Sequence, residues 1–138
     1  MKKILRLAVA CCVLPALVMA DDVWQRDEAI GIVNDLRASL NKIVDMPWGK
    51  SAQQGAVQSK KTHAALVDIR FLLEELERLD LALTAGSGKA QTYARYKKIS
   101  NLRYSVTDYA RDSEFQEDAR NEADVARHLM RKLDLMYF

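Results

Sequence analysis

From Asp22 onward the apolar residues recur at spacings of three and four, not two, which is the period of an amphipathic helix and not of a strand. The first periodic segment runs from about Val23 to Asp45. Its seam of Ala29, Val33, Leu36, Leu40 and Ile43 steps 4-3-4-3, and Pro47-Trp48-Gly49 ends it. The second opens at Ser51, where Ser51-Ala-Gln-Gln54 forms a capping box: the Ser oxygen and the Gln amide satisfy backbone N–H groups that the first turn leaves orphaned. Ala65, Ile69, Leu72, Leu76, Leu79 and Leu83 form its stripe, with Leu66 and Leu73 flanking, and Ala85-Gly86-Ser87-Gly88 stops it.

The third segment spans about Lys89 to Asp112, with Ile99, Leu102, Val106 and Tyr109 or Ala110 inward. A second capping box, Ser113-Glu-Phe-Gln116, starts the fourth, whose apolar face is Phe115, Ala119, Ala126, Leu129, Leu133 and Met136. Segments of this length make rods of ~33 Å. Short connections between such rods favour antiparallel neighbours. The expected fold is all-α: an antiparallel up-down-up-down four-helix bundle.

The first twenty residues belong to a different class. Lys2, Lys3 and Arg6 precede an apolar run, Leu7 to Leu17, and Val18-Met19-Ala20 offers small residues for cleavage, which together read as a secretory signal peptide. The run is too short for a membrane span. The expected organisation is therefore a signal peptide, 1–20, and a single bundle domain, 21–138, exported to a Gram-negative periplasm. A lipoprotein signal ending at Cys11 is the rival, but its apolar stretch is very short and the usual Leu is missing.

Cleavage after Ala20 changes the composition. Of the 21 basic residues three leave with the leader, so 18 face 19 acidic ones and the mature net charge is near −1. The precursor's basic pI is thus no argument for nucleic acid. Both cysteines, Cys11 and Cys12, leave too, so neither a disulfide nor a cysteine metal site is expected in the mature chain.

The residues that chemistry would need are sparse. His63 and His128 lie off the apolar stripes and, in an antiparallel pairing, ~18 Å apart in height, so no shared metal is expected. There is no Cys-x-x-Cys-His for haem, no Gly-x-Ser-x-Gly elbow and no phosphate-cradling glycine loop. The Leu-Thr-x-x-Gln repeats of periplasmic helical-hairpin chaperones are also absent. No enzyme activity, cofactor or metal is expected. Asp80 and Glu122 interrupt the seams, and pairing sequence-adjacent helices around their turns sets Asp80 level with Arg95 and Glu122 level with Arg103. The acidic end of segment two, Glu74 to Asp80, should also attract the basic stretch from Lys89 to Arg103.

The outward faces carry the candidate site. Val67, Phe71, Glu74 and Arg78 line up opposite the core stripe of segment two. On segment three Tyr93, Lys97, Tyr104 and Arg111 do the same, with Ser100 between them. Tyr, Phe and Arg are enriched in interface cores. These two lines are therefore the expected protein-contact residues, the partner being an envelope protein or a second copy of the chain, with no nucleic acid and no membrane span. The function expected from them is protein–protein binding by a small exported helical bundle acting as accessory, chaperone-like adaptor or inhibitor. A bundle binding a small molecule or haem is the alternative, and an enzyme the third reading. Phe71 has a further alternative as satellite core beneath Met46-Pro47-Trp48 or Trp24.

Overall fold

The computed structural model describes residues 24–46, 56–112 and 117–138. Among them the chain is entirely helical, with α1 over Arg26–Asp45, α2 over Ala56–Thr84, α3 over Lys89–Asp112 and α4 over Glu117–Tyr137. No described residue lies in a strand. The signal segment, Pro47-Trp48-Gly49, both capping boxes and Phe115 lie outside the described residues.

Each helix packs against two neighbours: α1 against α4 and α2, and α3 against α2 and α4. The α1–α4 and α2–α3 pairs are the most closely packed, and α4 buries three small residues, Ala119, Ala123 and Ala126, which let helix backbones approach. The α3–α4 pair is the loosest.

The seams of α1 and α2 lie where their spacing places them. Ala29, Val33, Leu36, Leu40 and Ile43 are buried, joined by Ile32, and all six stripe residues of α2 are buried, with Leu66 and Leu73 half-buried beside them. On α4 the buried line is rotated from the expected one. Ala119, Ala126 and Leu133 are inside, but Met130 and Tyr137 take the core positions, while Leu129 and Met136 are half-buried. On α3 Ile99 and Val106 are buried and Leu102 half-buried. Tyr96, a large and fully buried side chain, is also there and has no counterpart in the expected seam.

The turn between α2 and α3 shows how the sequence sets a boundary. Gly86 has φ +93°, a left-handed conformation that costs a side-chain-bearing residue about 1–2 kcal/mol. Its N–H donates to the Leu83 carbonyl at 3.0 Å, and the Ser87 N–H to the Ala82 carbonyl at 3.0 Å, closing the last turn of α2 as a Schellman motif. At the start of α3 the Gly88 N–H donates to Gln91 Oε1 at 2.8 Å, one half of a capping box. Two glycines and one glutamine thus end one helix and begin the next within four residues.

The charges in the seams find partners other than those expected. Asp80 pairs with Arg37 of α1 at 3.0 Å, not with Arg95, and Glu122 pairs with Lys42 of α1 at 2.9 Å, not with Arg103. Ser39 Oγ adds a hydrogen bond to Glu122 Oε2 at 2.9 Å. The reason is the ring of contacts: α1 packs against both α2 and α4 and supplies the nearer cations, whereas the expected pairs join α2 and α4 to α3 alone. Arg95 instead meets Glu75 at 3.6 Å, which realises the expected attraction between the acidic end of α2 and the basic α3. Arg103 pairs with Asp134 of α4.

Candidate functional site

The outward line of α2 is exposed along most of its length. Val67 is half-buried, Phe71 keeps 53% of its surface in water, and Glu74 and Arg78 are exposed. Arg78 bridges Glu75 at 2.7 Å and Glu74 at 3.8 Å, so the polar part of this line is an ion-pair cluster. Leu81, 65% exposed, continues it by one further step of three and is not part of the expected line. Phe71 and Leu81 are ten residues apart, ~15 Å along the helix. Trp24 does not serve as the cover considered for Phe71 in a satellite core, since its ring packs against Tyr137 at 5.1 Å between centroids.

The line on α3 divides. Lys97 is exposed and Tyr104 is 60% exposed, with the Arg103 guanidinium 4.9 Å from its ring centre. Tyr93, 38% exposed, is tied at one edge to an aromatic cluster. Its ring lies 6.0 Å from Tyr96, 6.4 Å from Tyr137 and 6.4 Å from Phe138. The Arg111 side chain lies outside the described ones.

That cluster is a rigid junction. Tyr96 and Tyr137 stack at 4.1 Å with their planes 6° apart, and Trp24 meets Tyr137 edge-on. Each buried phenol has a hydrogen-bond partner. Tyr137 Oη and Thr92 Oγ1 are 2.7 Å apart, and Tyr96 Oη donates to Asp134 Oδ1 at 2.7 Å. Burial, and after it the hydrogen bond to the Asp134 carboxylate, push the Tyr96 phenol up to about 12. Asp134 serves a second donor, Arg103, so one carboxylate joins two side chains of α3 to α4.

Beyond this junction α3 and α4 part, leaving a half-open cleft of about 310 Å³. Arg103, Tyr104 and Thr107 form one wall. Arg127, Arg131 and Asp134 form the other, with Met130 at its base. Nothing in the hydrophobic pattern marks this cleft. The available signal was Arg127 and Arg131 at i and i+4 on α4, where a pair on one face is guaranteed.

His63 and His128 are both exposed. Among the described residues no three His, Cys, Asp or Glu side chains converge as a metal site requires, and no helix is long and apolar enough to cross a membrane. Comparison with protein-family models, with curated proteins and with solved structures finds no match.

Proposed function

We propose that the chain is exported, is cleaved after Ala20, and acts as an up-down-up-down helical bundle that binds another protein of the cell envelope through the outward faces of α2 and α3. The direction of the helices draws support from contacts at two levels. Trp24 meets Tyr137 and Ser39 meets Glu122 between α1 and α4; Thr92 meets Tyr137 and Tyr96 meets Asp134 between α3 and α4.

The observation that carries the binding reading is the pair of large aromatic side chains left outside completed seams. α2 buries six apolar residues without Phe71, and α3 buries Tyr96, Ile99 and Val106 without Tyr104. Neither exposed ring is needed to close the core, and both belong to residue types that dominate interface hot spots. The stripe on α2 adds an apolar, ionic, apolar sequence from Phe71 through Arg78 to Leu81, which resembles the anchor-and-rim makeup of protein contacts.

The test places a photo-crosslinking residue at position 71 or 104 in the host and compares Phe71→Ala and Tyr104→Ala by co-purification and far-UV circular dichroism. The expected result is a specific crosslinked protein whose capture falls in both variants while the helical signal stays unchanged and the melting temperature falls by no more than about 4 °C. Loss of the helical signal in both variants would assign the rings to the core and overturn the proposal. So would native mass spectrometry of the envelope-purified chain showing a bound small molecule or metal and no protein.

A further inference from the structure

The α3–α4 cleft has an unbalanced charge. Among the described residues three guanidiniums, those of Arg103, Arg127 and Arg131, face one carboxylate, Asp134. Their commitments differ. Arg103 is held by Asp134 and donates to Tyr104 Oη at 3.2 Å. Arg127 pairs with Asp124 at 2.8 Å, but that carboxylate is 68% exposed, so the pair is weakly held and exchanges easily with another anion. Arg131 has no carboxylate partner among the described residues.

The shape of the cleft limits what such a surplus can recognise. Small-molecule sites are enclosed and mainly apolar. This one is half-open, and its free charge is spread along a helix, since Arg127 and Arg131 sit one turn apart. A guanidinium fork matches a carboxylate in a planar, two-bond geometry. Met130, 4% exposed, and the exposed Tyr104 ring supply apolar surface beside those forks. We infer that the α3–α4 cleft receives an acidic peptide segment of the partner protein, its carboxylates on Arg127 and Arg131 and an apolar side chain against Tyr104. This rests on the protein-binding reading above and gives it a ligand chemistry.

The experiment uses the full chain purified from the host envelope and a fluorescein-labelled Gly-Glu-Glu-Phe-Glu-Glu-Gly peptide, followed by fluorescence anisotropy, with the Gln-for-Glu peptide as its neutral counterpart. The acidic peptide binds, more weakly as salt rises because exposed charges are screened within about 10 Å at 0.1 M. The neutral peptide binds far less. Arg131→Gln and Arg127→Gln each weaken the acidic peptide about five-fold, the upper end of one exposed ion pair. Arg70→Gln, on the exposed side of α2, leaves it unchanged. Asp134→Asn removes the only carboxylate among the described residues of the cleft wall and tightens binding, an effect that misfolding would not produce.

Equal binding of the two peptides, no binding of either, or an Arg127→Gln/Arg131→Gln double variant indistinguishable from the parent overturns the inference. Displacement of the peptide by inorganic phosphate at matched ionic strength also overturns it, by assigning the cleft to a small anion. If the peptides fail while the crosslinks at positions 71 and 104 persist, this inference falls and the protein-binding proposal stands. If the peptide binds through Arg131 and no envelope protein crosslinks, the cleft chemistry stands and the placement of the partner on Phe71 and Tyr104 falls.

Discussion

Asp134→Ala withdraws one carboxylate from two partners at once, and the structure sets the size of the effect. Tyr96 is 2% exposed, and its hydroxyl donates to Asp134 Oδ1 at 2.7 Å. Without that acceptor a buried phenol is left unsatisfied, which costs about 1–3 kcal/mol. Arg103 also loses its partner; both side chains of that pair are about a quarter exposed, so its loss adds about 1 kcal/mol at most. The total is about 1–4 kcal/mol. Tyr96→Phe removes the donor instead, keeps the stacking on Tyr137 and leaves Asp134 its bond to Arg103, so it costs only about 1 kcal/mol. For a chain of this size 1 kcal/mol corresponds to a fall of about 4 °C in Tm. The pair of variants should therefore differ by several degrees, Asp134→Ala being the worse. Adding Tyr96→Phe to Asp134→Ala should recover part of the loss, because the phenol that needed an acceptor is gone. Urea unfolding followed by far-UV circular dichroism measures all three. Strict additivity, or a larger loss for Tyr96→Phe than for Asp134→Ala, would refute the assignment of Asp134 as the acceptor that holds α3 on α4.

The same unfolding assay tests three further expectations. Leu76→Ala, at a position with no exposure, should cost about 2–5 kcal/mol, whereas Phe71→Ala should cost about 1 kcal/mol because half of that ring is already in water. Gly86→Ala should destabilise by about 1–2 kcal/mol through its left-handed φ alone, since the added Cβ meets only the end of Arg26 at an ordinary 3.6 Å. The hydrogen bond from Lys42, aided by that from Ser39 and partly opposed by burial, holds the Glu122 carboxyl below its usual 4.5. Its stabilisation is therefore complete above 4.5 and is lost as pH falls through the lowered value. Glu122→Gln should accordingly be about 1 kcal/mol less stable at neutral pH, with the difference vanishing in acid, and a constant difference across that range would refute the linkage.

The parts of the fold legible in the sequence are those where one local rule suffices. A 4-3-4-3 seam on α1, six apolar residues on α2 and a glycine pair between α2 and α3 each carry their information within a few residues, and the structure places all three accordingly. The residues that escaped are amphipathic. Tyr96, Thr92 and Tyr137 stand in none of the expected seams, and as core residues they bring hydroxyls that meet Asp134 and one another across the α3–α4 contact. Polar satisfaction of that kind is a property of the assembled bundle, as is the choice of Arg37 and Lys42 as partners for Asp80 and Glu122. Of the candidate contact line, Phe71, Lys97 and Tyr104 could be placed outward from period alone. The edge of Tyr93 that joins the aromatic junction could not, because Phe138 and Tyr137 arrive from the other end of the described chain.

The uneven packing of the ring gives α3 its special position. α1 and α2 hold the bundle through their buried apolar stripes, α1 packs closely on α4 and α3 closely on α2, so the bundle can tolerate one looser pair of neighbours. α3 and α4 are that pair. Thr92 and Tyr96, at the first two buried positions of α3, hydrogen-bond to α4, and at Arg103, Tyr104 and Thr107 α3 faces α4 across a polar cleft. Hydrogen bonds through buried phenols fix geometry well, because each must be made at its own distance and angle. They therefore set the cleft wall in place at one end while leaving its arginines hydrated at the other. On the acidic-peptide reading, such a surface loses little conformational freedom when a ligand arrives at Arg103, whose side chain Asp134 and Tyr104 already hold. It retains at Arg131 a charge that no carboxylate has claimed among the described residues. Preorganisation at one arginine and an open valence at the next are what the loosest contact of the bundle can offer, and α3 and the facing side of α4 combine them.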